Sequence, residues 1–112
     1  MRATKTDLPP ITEAEFQRMV LQLAHLQGWW SFHVRPGRTA QGWRTPIQGK
    51  GAGFPDLVLC RDKQLIFVEL KAVRGALSEQ QTYWIERLRA AGQTVFVWRP
   101  SDWPEIEKEL SR

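Results

Sequence analysis

Apolar positions along the chain recur with two periods, one helical and one extended. Phe16, Met19, Val20, Leu23 and Ala24 fall on one face of a helix. Thr12-Glu13-Ala14-Glu15 ahead of them fits a capping box, with Thr12 as N-cap and Glu15 three residues on, and Gly28 supplies the stop. Trp29 to Val34 reads as a first strand. Two further stretches with apolar runs of strand length, Gly53 to Cys60 and Leu65 to Lys71, flank Arg61-Asp62-Lys63-Gln64, which is polar enough for a hairpin turn. The second run is apolar on both faces: Leu65 and Phe67 on one, Ile66, Val68 and Leu70 on the other. That suits a central strand covered from both sides. Ser78 is placed to cap a second helix running to about Ala91 and stopped by Gly92, with Trp84, Ile85, Leu88 and Ala91 as its buried stripe. Thr94 to Trp98 reads as a further buried strand. Ser101-Asp102-Trp103-Pro104 then begins a short terminal helix with Ile106 and Leu110 four apart. The order helix, three strands, helix, strand, helix predicts an α/β fold, a central mixed β-sheet flanked by α-helices.

The segment from Arg35 to Gly53 breaks this pattern. It carries Arg35, Arg38, Arg44 and Lys50 with no acid, together with five glycines, two prolines and Trp43. Such long loops are uncommon in compact domains and often functional. Its basic side chains suit phosphate contact, and Trp43 could stack on an exposed base; the plainer reading is a solvated loop whose charges keep it soluble. Met1 to Pro10 is polar and ends in a proline pair, so residues 1–11 are expected to form a flexible arm and 12–112 a single domain.

Composition adds less. At 112 residues the chain has room for one core, and a net charge of +4 favours a polyanionic partner. Cys60, the single cysteine, lies within an apolar run and is expected to be a buried small hydrophobe in a reducing compartment. One cysteine and two separated histidines argue against a zinc site, and His33 within the first strand is expected to be structural. No apolar run reaches about 18 residues and no signal-peptide pattern opens the chain, so the expected location is cytoplasmic, with no membrane partner.

The chemistry concentrates at the hairpin. If its turn centres on Asp62-Lys63, residues whose numbers sum to 125 face each other, and Asp56 lies opposite Glu69. Opposed side chains are only about 5 Å apart at Cβ, so two acids there would repel unless a positive group sits between them. Oxygen-preferring divalent cations are the usual candidates. Lys71, two residues past Glu69, points to the same face. An ion pair of Glu69 with Lys71 is the alternative structural reading.

Pro55-Asp56, twelve residues, then Glu69-Leu70-Lys71 resembles the PD-(D/E)XK nuclease superfamily. Gly53 before the Pro-Asp pair, and Gly75-Ala76-Leu77-Ser78 with Gln81 after the lysine, resemble its VRR-NUC (virus-type replication–repair nuclease) branch. The resemblance runs from about Thr12 to Pro100 and implies a restriction-endonuclease-like core. It implies phosphodiester hydrolysis in DNA, with Asp56, Glu69 and the backbone carbonyl of Leu70 holding Mg²⁺ or Mn²⁺ and no small-molecule cofactor. Lys71 would orient the attacking water or offset developing charge, and Gln81 would line the active site. An acid on the first helix commonly joins such sites; Glu15 is a candidate for catalysis and indirect metal support, Glu13 competes with it, and Glu15 also has its capping duty. Arg35, Arg38, Trp43, Arg44, Lys50 and Arg74 are the candidate DNA contacts. Stand-alone domains of this kind often resemble Holliday-junction resolvases, implying branched DNA as partner in a bacterial cell or phage-infected host. Symmetric cutting of a four-way junction calls for two active sites, hence an expected homodimer, with the terminal segment around Trp103 as a source of apolar surface. Flap or fork cleavage, nicking, a non-catalytic nucleic-acid-binding module of the same fold, and an interaction protein with ordinary ion pairs are the alternatives.

Overall fold

The protein is described by a computed structural model covering residues 10–33, 37–39, 42–44 and 50–112. Its first helix, α1 (Glu13–Leu26), begins on the capping box expected from the sequence. Thr12 Oγ1 accepts from the Glu15 N–H, and the Glu15 carboxylate accepts from the Thr12 N–H. Gly28, at φ +85°, turns the chain into β1 (Trp30–His33). β2 (Gly37–Thr39) and β3 (Gly42–Arg44) pair as a separate two-stranded antiparallel ribbon. The stretch expected to be a structureless loop therefore contains a hairpin. β4 (Leu57–Arg61) and β5 (Gln64–Leu70) follow, then α2 (Glu79–Ala90), β6 (Thr94–Trp98), a 3₁₀ turn (Pro100–Asp102) and α3 (Trp103–Ser111).

The main sheet has the order β1-β4-β5-β6. β1 and β5 flank β4 in antiparallel pairing, and β6 joins β5 in parallel, with α2 as the crossover that parallel pairing requires. Leu57↔Val68 through Arg61↔Gln64 places the hairpin in the register expected from an Asp62-Lys63 turn. Asp62 takes φ +54°, as the first central residue of a two-residue hairpin turn does.

Strand alternation divides the sheet into two unlike faces. Leu57 and Leu59 of β4, with Ile66, Val68 and Leu70 of β5 and Trp98 of β6, pack against Phe16, Val20 and Ala24 of α1 and Ile106 and Leu110 of α3. Each fully buried aliphatic there stabilises by roughly 1.5–3 kcal/mol, against about 1 kcal/mol for a cap. That comparison explains α3, which has no side-chain cap yet buries Ile106 and Leu110 completely. Its last turn is tied to the sheet as well. The Leu110 carbonyl accepts from both Trp29 Nε1 and Arg61 Nη1 at 2.9 Å, and the Arg61 guanidinium lies 4.5 Å from the Trp29 ring centroid.

The opposite face is covered only in part. α2 buries Ile85 beside Val95, but it does not extend over the β1 side, where Trp30 is 83 % exposed, Phe32 63 % and Leu65 44 %. Cys60, cross-strand from Trp30 and Leu65, shares that open face and is exposed. The expectation of a buried thiol is thus corrected: an apolar run implies cover on both faces only where an element lies over each. Along α2, Trp84 and Leu88 are half-buried and Ala91 is exposed, so the buried stripe is narrower than its spacing suggested. Trp103, expected to offer apolar surface, instead packs against the main core. Among the described residues, no helix is long and apolar enough to cross a membrane. Residues 1–9, where most of the expected arm falls, lie outside those described.

Candidate active site

The β4–β5 hairpin delivers its two acids to the open end of the ladder. Asp56 precedes β4 and Glu69 is the penultimate residue of β5, in the extension of the same register. Asp56 Oδ2 accepts from the Leu70 backbone N–H at 2.7 Å, which holds the carboxylate across the strand end. Three contacts fix the approach to Asp56. Phe54 sits edge-on between Phe67 (centroids 5.9 Å) and Trp84 (4.9 Å), and its N–H donates to the Gly51 carbonyl. Pro55 is buried. Gly53, at φ +87°, lets the main chain lie directly against α2, where an added Cβ would come within 2.6 Å of the Gln80 carbonyl carbon.

Glu69 is 1 % exposed and is the buried charged residue among those described. Its Oε1 accepts from Gln81 Nε2 at 3.4 Å, whereas its buried Oε2 has no partner among the described residues. Burial is the largest influence on this carboxyl, followed by Asp56, which favours a protonated Glu69 that could donate to it and whose negative charge opposes ionisation; together they push its pKa up to about 9. Lys71 opposes the rise and Glu13 adds to it. Lys71 is anchored through its N–H to the Trp98 carbonyl (3.0 Å), and the turn at Gly75 passes over its side-chain stem.

Gln81 occupies the third position of a second capping box. Its Oε1 accepts from the Ser78 N–H at 2.8 Å and its own N–H donates to Ser78 Oγ. With the amide oxygen committed to the cap, the amide nitrogen is the end left to face Glu69. Ser78 was legible as a cap in the sequence, but that Gln81 would complete the capping box and so have its amide oriented was not.

The structure thus brings together Asp56, Glu69, Lys71 and Gln81, with the Leu70 main chain between them. Glu15 is exposed and engaged in its own cap, and of the two helix acids it is Glu13 whose charge is felt at Glu69. His33 pairs with Leu57 and shares that residue's face rather than Asp56's. Arg74 is exposed just beyond Lys71, and Lys50 is exposed with its carbonyl accepting from Trp84 Nε1. Arg38, Trp43 and Arg44 fall in the β2–β3 ribbon, and Arg35 lies outside the described residues.

A buried carboxylate oxygen without a donor, beside a second carboxylate, is the donor chemistry of a hard divalent cation. Mg²⁺ in particular is held by one or two carboxylates, with water and phosphate completing its shell. Among the described residues, no three His, Cys, Asp or Glu side chains gather, so Asp56, Glu69 and main-chain oxygen are the donors on offer.

A Pro-Asp hairpin closing on Glu-x-Lys inside a mixed, helix-covered sheet is the core of the PD-(D/E)XK nuclease superfamily. A model of the VRR-NUC domain matches residues 16–102, and the chain belongs to that family. Among solved structures it is similar to Hjc of Archaeoglobus fulgidus, described as a Holliday junction resolvase from an archaeal hyperthermophile. The two are 17 % identical, with 77 % of this chain and 67 % of that chain covered and a TM-score of 0.47. No curated protein matches the chain.

Gly53 offers a direct test of how the site is held. Gly53→Ala combines a strained positive φ with a contact that neither backbone can relieve without moving. The expected destabilisation is roughly 1–3 kcal/mol, read as a lower melting temperature. It should be accompanied by a loss of activity larger than that fall explains, because the turn of α2 carrying Gln81 must shift.

Proposed function

We propose that this chain is a Mg²⁺- or Mn²⁺-dependent endonuclease that hydrolyses phosphodiester bonds in branched DNA, with the four-way junction as preferred substrate. The observation that carries the reading is Glu69: a fully buried carboxyl with one oxygen unpartnered among the described residues, set against Asp56 and within the field of Lys71. Nothing in packing calls for such an arrangement, and removal of water from an unpaired carboxylate is costly.

Asp56, Glu69 and the Leu70 carbonyl would hold the cation, which when bound would polarise a phosphate oxygen and lower the pKa of water. Gln81 holds one Glu69 oxygen, leaving the other for the metal. Lys71 is placed to orient the attacking water or to offset charge gathering on the phosphate. Arg74 and Lys50, both exposed near the site, would meet flanking phosphates, as would the basic residues of the β2–β3 region.

The test is cleavage of labelled four-way junction, flap, fork and linear duplex with Mg²⁺ or Mn²⁺. Paired symmetric nicks in the junction support the full proposal. Cutting of flap or fork alone keeps the chemistry and moves the substrate. Tight binding with no metal-dependent cutting of any of them leaves a non-catalytic binding module.

Symmetric nicking requires two sites, and a second copy of this chain is proposed to dock on the open sheet face of Trp30, Phe32, Cys60 and Leu65. The two aromatics alone expose roughly 300 Å², a sizeable part of the ~800 Å² per partner in a stable interface. Phe32→Glu should leave the circular dichroism unchanged but give a monomer at micromolar concentration by sedimentation, where the parent chain is a dimer. A parent chain that is monomeric even with junction DNA present would end the dimer proposal.

A further inference from the structure

Between the segment at Lys50 and the outer face of α2 lies a cleft of about 590 Å³ lined by Lys50, Ala52, Gln80, Tyr83, Trp84 and Arg87. Its walls are built. Trp84 Nε1 donates to the Lys50 carbonyl at 3.0 Å, drawing the segment onto the helix, and the indole packs on Phe54, two residues ahead of Asp56. The Arg87 guanidinium lies over the Tyr83 ring, 5.1 Å from its centroid, and Tyr83 is 49 % exposed. Both charged groups of the lining are cations, and among the described residues neither forms a salt bridge. On the other flank of Tyr83 a smaller cleft of about 390 Å³ carries Glu79 and Glu86 instead. A polyanion approaching α2 is thus drawn to one side of Tyr83 and repelled from the other.

The lining selects among the parts of a nucleic acid. Aromatic rings and guanidinium planes bind bases by stacking, which needs a base with a free face. In an intact duplex both faces of an internal base are covered by its neighbours; at a branch point, a flap or a gap they are not. We infer that this cleft holds an unstacked nucleotide of the substrate next to the scissile phosphate. Its base rests on the Tyr83–Arg87 platform and its phosphate meets Lys50. The inference rests on DNA being the substrate and adds to that reading a reason for preferring branched DNA. Trp84 stands one helical turn beyond Gln81, so a nucleotide in the cleft would be a near neighbour of the phosphate at Glu69. Trp84 was expected only as part of the buried stripe of α2, and Tyr83 and Arg87 carried no expectation from the sequence.

The test uses a short duplex with 2-aminopurine as its one unpaired nucleotide, beside the fully paired duplex, both in Ca²⁺ or EDTA so that no strand is cut. On binding the whole protein, the unpaired 2-aminopurine should lose fluorescence as it stacks. Tyr83→Ala and Arg87→Gln should each reduce this quenching and weaken binding of the unpaired substrate about ten-fold. Binding of the paired duplex should stay within about two-fold. Both side chains face solvent, and if one variant fails to fold the other gives the answer. Equal losses on both substrates, or none on either, would overturn the inference in favour of plain phosphate contact. The nuclease reading fails separately: if quenching and discrimination are present but no substrate is cut with Mg²⁺ or Mn²⁺, the nucleotide site stands and the catalytic proposal falls. If junctions are cut but the variants discriminate nothing, the reverse holds.

Discussion

Glu69→Gln is expected to abolish metal-dependent cleavage and, in the absence of metal, to raise the melting temperature. Both effects come from the same carboxyl. As a ligand it would supply one of two negative charges to the cation, so its loss should exceed the 10–100-fold typical of groups that only support a ligand. As a buried group it is a burden, with one oxygen unpartnered among the described residues and Asp56 alongside. The pH dependence has a definite sign. In the unfolded chain Glu69 releases its proton near 4.5, whereas in the metal-free fold it retains it up to about 9. Between those values the folded state binds the extra proton, so stability falls as pH rises, by at most about 1.4 kcal/mol per pH unit. The favourable contribution is fully present below pH 4.5 and lost on passing through about 9. Thermal melts in EDTA from pH 5.5 to 9 should therefore slope downward for the parent chain and less so for Glu69→Gln, with the gap widest at high pH. A parallel pair of curves would show that Glu69 does not titrate as its surroundings imply. Added Mg²⁺ should reverse the order of stability, raising the parent and leaving the variant unchanged.

Gln81→Glu should lower activity by about 10–100-fold while leaving α2 intact. A capping box accepts glutamate as readily as glutamine, so the reach back to the Ser78 N–H survives. What is lost is the N–H that Gln81 gives to Glu69, and a third negative charge takes its place beside two carboxyls. That charge should raise the proton affinity of Glu69 further and shift the pH–rate profile upward. Gln81→Ala provides the contrast: it loses cap and donor together, so its melting temperature should fall. Unchanged kinetics in Gln81→Glu would confine this residue to the cap.

Much of the site was legible because it lies in local structure. The Asp62-Lys63 turn sets the register by itself, and register alone puts Asp56 opposite Glu69. Both helix starts could be placed from their caps, and Ile106 with Leu110 gave α3. The misreadings share a cause, which is that periodicity reports a face without reporting what covers it. Cys60 and Leu65 sit in strands as apolar as their neighbours, yet both are exposed because α2 does not cover them. The β2–β3 ribbon escaped notice because two strands of three residues, both beginning on glycine, are too short to show alternation. Glu13 and Glu15 are both acids of the first turn, and only the folded position of α1 brings the charge of one of them to bear on Glu69.

The hairpin has one more consequence. Asp56 and Glu69 are joined by a single two-residue turn, so bringing them together requires closure of a very short loop. Gln81 belongs instead to the crossover between parallel strands, a contact that forms only when β6 has found β5. The acids and the amide that holds Glu69 therefore fall in different cooperative units. A partial opening that releases α2 and β6 would leave the carboxylate pair facing each other but without Gln81, and it would flood Glu69 with water. Amide exchange should reveal this as slower exchange along β4 and β5 than along α2, with the carboxylate pair of the proposed site opening last and its support opening first.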